Sequence, residues 1–322
     1  MPAVDLPGSG RRTSAVGFGC TGLMTSLGTR ASLALLETAY EAGVRHFDVA
    51  PGYGLGEAER CLGVFLRSHP DATVATKYGL PRPRPPGAMG IAHRALRESG
   101  GARLLRGLGL RARSARARAA AIARPLSVAG AREALEQSLR ALSVGRIDLW
   151  LLHEASTDRL PDDSLLEYLH SRVSAGDIGA FGVGSHRGLV ADLWERRRPY
   201  CDVIQTEWSV ADDELDFPGA FLITHRSIAP AIHSIREHMA TDSPGQDPRI
   251  AELDRDRGLL AQVMLRAAVL QRPEGIVLFS SKRKDHVASS VRAANDPSLD
   301  ELAIALRSSV RRSVLRSSPR QA

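Results

Sequence analysis

The stretch HFDVAPGYGLGEAE, residues 46–59, sets an acid, Asp48, five residues before a tyrosine, Tyr53, in a Gly-rich turn. The run before it, residues 44–47, reads as a strand, and the run from Glu57 reads as a helix. A carboxylate and a phenol at one strand end are either a polar cap on a loop or a catalytic acid with the group that tunes it. Two further chemistry-bearing side chains end apolar runs in the same way: Lys77 closes TVATKYG, residues 73–79, and His153 closes RIDLWLLH, residues 146–153. Taken singly, such a lysine is a structural ion pair and such a histidine a satisfied core imidazole. The four become informative only if the fold brings the strand ends together.

The elements that would do this alternate along the chain. Apolar runs at 15–19, 44–50, 73–79, 146–153, 179–185, 202–208, 219–225 and 274–280 read as eight strands. Helical patterns separate most of them, among them 32–42, REALEQSLRALSV, SLLEYLHSRVSAG, RGLVADLWERR and LLAQVMLRAAVLQ. Continuous apolar runs fit strands buried on both faces, and strand–helix alternation argues for a parallel sheet. Eight such units close into a (β/α)8 TIM barrel, whose sites lie at the C-terminal ends of the strands. Asp48, Tyr53, Lys77 and His153 then share one rim. A doubly wound open sheet is the rival, but its Gly-rich fingerprint is met only loosely by residues 17–22, and no acid follows about 20 residues on.

Length fits this reading: 322 residues suit one barrel domain, with helical patterns near 285–294 and 298–315 and a C-terminal tail to 322. Residues 80–127 break the rhythm with an Arg-rich insertion after the third strand, expected to be a lid or disordered. From Pro81 to Pro125 it holds eleven Arg and one acid, Glu98. The net charge of +7 and pI of 9.8 are therefore local, and the remainder is slightly acidic. No aromatic residue interleaves those arginines after Tyr78, so nucleic acid is not expected as a partner. No apolar run reaches 18 residues and no secretory signal order opens the chain, so neither a membrane span nor export is expected. Cys20, Cys61 and Cys201 are widely spaced, without metal or redox spacing, which suggests reduced thiols in the cytoplasm and no metal. Nothing in the sequence fixes an oligomeric state.

The pieces DVAPGYG (48–54), Thr76-Lys77, Leu151-Leu152-His153, GVGS (182–185) and QTEW (205–208), in this order, resemble the aldo-keto reductase superfamily over nearly the whole chain. HFDVAPGYG and the ITH of 223–225 are most similar to bacterial sugar dehydrogenases of the D-threo-aldose type. The resemblance implies a barrel, an NADP or NAD cofactor bound without a Rossmann domain, and hydride exchange with an aldehyde, ketone or sugar hemiacetal. A cofactor-binding regulatory or sensor protein of the same fold is the alternative. Hydride delivery builds charge on the carbonyl oxygen, which an acid must neutralise. Tyr53 would donate that proton, Lys77 would lower its pKa from about 10, Asp48 would hold Lys77, and His153 would orient the substrate oxygen. The resemblance further assigns Ser185 and Gln205 to the nicotinamide carboxamide, with Gly184 where a further donor is usual. Trp208 stands where an aromatic residue is expected, and His225 replaces the nicotinamide-stacking tyrosine. Ser281, Lys282, Arg283 and His286 fall in the loop that grips the adenosine phosphates, with Ser290 at the position of an asparagine; three adjacent cations favour NADP over NAD. Phe18, Met24, Tyr78, Trp208 and Phe221 are candidates for an apolar pocket lining, with core packing as the alternative for Phe18 and Phe221.

Overall fold

The computed structural model describes residues 1–83, 120, 122, 124–160, 162–229, 231–239, 248–253 and 255–317. Most of the 80–127 insertion read as a lid or a disordered segment, residues 84–119, 121 and 123, lies outside them.

Eight parallel strands close into a barrel: β3 (Val16–Gly19), β4 (His46–Asp48), β5 (Thr73–Tyr78), β6 (Ile147–His153), β7 (Ile178–Gly184), β8 (Val203–Glu207), β9 (Phe221–His225) and β10 (Ile276–Phe279). They pair in chain order, and β10 returns to β3 through Val277↔Val16 and Phe279↔Phe18. Each coincides with one of the eight apolar runs read from the sequence. An antiparallel hairpin that the sequence reading missed, β1 (Ala3–Asp5) with β2 (Arg12–Ser14), precedes the barrel. Its Val4, and Leu6 just after it, pack with Ala15, Leu149, Val203 and Ile276, so the hairpin plugs the N-terminal end.

The helices clothe the barrel: α1 (Thr29–Glu41), α2 (Ala58–Leu66), α3 (Val128–Leu142), α4 (Ser164–Ser174) and α5 (Arg187–Arg196), then α6 (Ile232–Met239), α7 (Pro248–Leu253), α8 (Arg257–Leu270), α9 (Lys284–Ala294) and α10 (Asp300–Ser317). Between β9 and β10 the sequence showed only the helical pattern LLAQVMLRAAVLQ, which forms α8.

Strand pleat decides what faces the lumen. Side chains alternate across a strand, and apart from Ile147 and Ile178, which begin their strands, the two hydrophobic clusters separate by this parity. Ala75, Leu149, Leu151, Val203, Ile223, Ile276 and Leu278 belong to the inner cluster. Phe47, Val74, Trp150, Leu152, Ile204 and Val277 belong to the larger cluster under the helices. Asp48, Lys77, His153, Gln205 and His225 share the parity of the inner set. Asp48, His153 and His225 end their strands, Lys77 stands one residue and Gln205 two residues before the end of theirs, and the barrel gathers all five at one mouth. Lower in the lumen, Thr73 Oγ1 bonds Thr13 Oγ1 at 2.7 Å and His46 Nδ1 at 3.0 Å while donating to the Arg45 carbonyl. That assigns the proton of His46 to Nδ1.

Candidate active site

Lys77 Nζ donates to both oxygens of Asp48, at 2.6 and 2.7 Å, and to the Val49 carbonyl at 3.1 Å. Gln205 Nε2 donates to Asp48 Oδ2 at 2.7 Å, so the carboxylate is held from two strands. Lys77 and Asp48 are both buried. Removing two charges from water is costly, and close pairing with added hydrogen bonds offsets that cost. Burial is the largest single influence and works against the Lys77 ammonium, but Asp48, Tyr53 and Cys20 together outweigh it and hold Lys77 above the usual lysine range.

Tyr53 opens a 3₁₀ turn, Tyr53–Gly56, whose second and third residues take left-handed backbone angles. Gly54, at φ 58°, is needed there. A Cβ on it would lie 2.6 Å from Met24 Cβ and 2.7 Å from the Leu23 carbonyl. The turn swings the Tyr53 ring over the ammonium, with Lys77 Nζ 5.6 Å from its centroid. The sequence reading expected Lys77 to bring the phenol below its ordinary pKa. In the structure burial pushes it up, and this outweighs the lowering by Lys77, so the Tyr53 phenol titrates above the usual range.

Asp48, Tyr53, Lys77 and His153 line one cleft of 310 Å³. Ser185, Gln205 and His225 line it too. Ser185 Oγ donates to the Ala155 carbonyl at 2.6 Å, which fixes the hydroxyl at the wall. Burial lowers the pKa of His225 to about 4, so its ring is neutral at pH 7.

The other sequence candidates stand elsewhere. Trp208 is buried in the outer core and its indole donates to the Asp213 carbonyl at 3.0 Å. Ser281, Lys282, Arg283 and His286 lie on the β10–α9 loop or the first turn of α9, outside the cleft lining. Arg283 pairs with Asp285, and Lys282 reaches Ser26 Oγ at 3.2 Å. From that region it is Ser280 and Ser290 that line the cleft. Among the suggested apolar residues, Phe18, Met24, Tyr78 and Phe221 are also outside the lining.

The cleft has lining residues that sequence reasoning passed over: Glu154, His186, Glu207, Arg226 and Ser227. His186 bridges two carboxylates at the rim, with Nδ1 3.2 Å from Glu207 and Nε2 3.5 Å from Glu154. Glu207 was legible in principle, since it lies two residues beyond Gln205 on the same strand and hence on the same face. Ser227 Oγ is a buried hydroxyl without a hydrogen-bond partner among the described residues. Among the same residues, no group of three or more His, Cys, Asp or Glu is placed to hold a metal ion, and no helix is long and apolar enough to cross a membrane.

A model of the aldo/keto reductase family matches residues 15–217, more than half of the chain, including Asp48, Tyr53, Lys77, His153, Ser185 and Gln205. This chain belongs to the aldo/keto reductase family. Among curated relatives it is 41% identical over 83 residues to a D-threo-aldose 1-dehydrogenase of a Pseudomonas species, covering 24% of this chain and 25% of that protein. The chain thus aligns with about a quarter of that relative's length. Among solved structures, the glycerol dehydrogenase of Gluconobacter oxydans superposes with a TM-score of 0.67 at 18% identity, covering 99% of this chain and 98% of that one. An aldo-keto reductase from Klebsiella pneumoniae, in complex with NADPH, gives 0.60 at 18% identity, with 94% of each chain covered. These structures share the barrel, and at such identities they speak for the fold alone. What this chain does with its cleft rests on its own side chains.

Proposed function

We propose that the chain is an NAD(P)-dependent oxidoreductase that moves hydride between a nicotinamide and the carbonyl carbon of an aldehyde, ketone or sugar hemiacetal. The observation that carries this reading is the buried Lys77–Asp48 pair set against the Tyr53 ring, in a cleft that His153 also lines.

The cofactor, when bound, supplies the hydride. The NADPH of the Klebsiella enzyme and the dehydrogenase relative support that choice. The residues present fit such a group. Ser185 and Gln205 line the cleft as partners for a carboxamide. Gln205 commits one amide N–H to Asp48, which leaves its second N–H and its carbonyl oxygen for the carboxamide. The orphaned Ser227 hydroxyl, with Arg226 beside it, provides a donor set for phosphate oxygens. At the adenosine end the cations Lys282, Arg283 and Lys284 favour NADP, with NAD the rival. Asp285 is the counter-charge that a 2′-phosphate would displace from Arg283. The three free cysteines suit a reducing compartment such as the cytoplasm.

The residues divide the remaining work. His153 donates to the substrate oxygen and orients it. Tyr53 gives that oxygen a proton as charge grows on it. Lys77 stabilises the phenolate left behind, and Asp48 and Gln205 hold Lys77 in place. Because burial keeps the phenol protonated at neutral pH, the resting site is ready to reduce. Alcohol oxidation needs the phenolate and rises with pH.

Tyr53→Phe tests the assignment, since it removes only the proton donor. Turnover of NADPH with a panel of aldehydes should fall by at least about a hundredfold, the scale of general acid catalysis, while NADPH fluorescence titrates with the parent dissociation constant. Aldehyde reduction at the parent rate would remove Tyr53 from its role.

A further inference from the structure

We infer that Arg159 is a positioning residue that holds the catalytic end of β6, and with it His153, in register. This rests on the reading of His153 as the group that orients the substrate oxygen.

Arg159 is buried, with 4% of its surface exposed. A buried guanidinium normally faces an acid. Among the described residues, the side-chain hydrogen bonds of Arg159 all go to backbone carbonyls. Nη1 donates to His153 O at 3.2 Å and Glu154 O at 2.8 Å, Nη2 to Gly79 O at 2.8 Å, and Nε to Arg124 O at 3.0 Å. The backbone of Arg159 answers in kind, its carbonyl accepting from Leu126 N at 2.8 Å. One planar fork thus ties the end of β6 to Gly79, just past β5 and its Lys77, and to the segment leading into α3. Only arginine offers five donors in a rigid plane. An ammonium is a point charge and cannot reach the same four oxygens together.

The backbone at the clamp needs holding. Glu154, directly after His153, sits at φ 54°, a conformation non-glycine residues hold only where the surroundings impose it. Its N–H donates to the Gly184 carbonyl at 2.8 Å while its own carbonyl takes Arg159 Nη1. A second feature points to the same carbonyl. Gly79 has φ 135°, and a Cβ there would stand 2.4 Å from His153 O. The His153 carbonyl therefore lies between a position that excludes side chains and a guanidinium that draws it in. A small rotation of this peptide moves the imidazole on the next bonds, and misplacement by about 1 Å can cost on the order of a hundredfold in rate.

A double-mutant cycle with His153 tests this. Arg159→Lys, His153→Gln and the double variant are compared with the parent for kcat and KM, using the aldehyde with the highest parent turnover, and for NADPH affinity by fluorescence. Arg159→Lys should lower kcat roughly ten- to a hundredfold, keep the NADPH dissociation constant within about twofold, and lower kcat no further once His153 is glutamine. Equal losses in both backgrounds, or parent kcat in Arg159→Lys alone, would overturn the inference. If His153→Gln itself turns over at the parent rate, the role of His153 fails first, which separates the two failures. Should Arg159→Lys not fold, Gly79→Ala carries the same cycle, because it displaces the same carbonyl from the opposite side.

Discussion

Lys77→Met removes the ammonium and keeps the length of the stem. Two costs follow from the geometry. A unit charge 5.6 Å from the phenol ring interacts with it by about 3 kcal/mol at an effective dielectric of about 20. By transition-state arithmetic this is about two orders of magnitude in a proton transfer that leaves a phenolate behind. The second cost falls on folding. Asp48 keeps Gln205 as a donor but loses both bonds from Lys77, and breaking a buried pair destabilises by about 3–5 kcal/mol. The double variant Asp48→Asn/Lys77→Met removes the stranded charge and should recover part of that stability without recovering rate. Single-turnover mixing of enzyme, NADPH and aldehyde reads the chemical step, and urea denaturation reads the stability. Because the phenol already titrates high, the rise of alcohol oxidation with pH should move to higher pH still in Lys77→Met. A folded, NADPH-binding Lys77→Met enzyme that reduces aldehyde within threefold of the parent would refute the claim that Lys77 stabilises the phenolate.

His46 predicts acid lability. Its burial lowers its pKa to about 4 from 6.5, so between these values the unfolded chain binds the extra proton, stability falls as pH drops, and the unfolding free energies from urea denaturation at pH 7 and 4.5 should differ by about 2.5 kcal/mol from this group alone; a His46→Gln enzyme that shows the same difference would sink the assignment. Gly54→Ala should lower both Tm and kcat, because it forces Ala to a left-handed φ at a cost of roughly 1–2 kcal/mol and drives its Cβ into Met24 and Leu23; parent values of both would show that the turn under Tyr53 tolerates a side chain.

Strand parity explains what the sequence disclosed and what it withheld. Strands buried on both faces must be apolar throughout, so all eight announced themselves as runs, and a polar side chain ending such a run was conspicuous. Asp48, Lys77 and His153 were found for that reason. Parity also separates Gln205 and Glu207, which face the lumen, from Trp208, one residue on, which the pleat sends outward into the helices. Beyond strand ends no period operates. Lys282 and Arg283 therefore carried only their charge as a signal, whereas Ser280 and Ser290 reach the cleft. The hairpin β1–β2 was invisible because three-residue strands are too short to show alternation. The sign of the Tyr53 shift was hidden for a different reason. It is a contest between a nearby ammonium and loss of water, and the sequence names the first competitor but not the second. The same distinction marks Arg159. Its partners are carbonyls that every residue possesses, so no pattern of side chains could point to it, and only the closure of the barrel shows which four it holds.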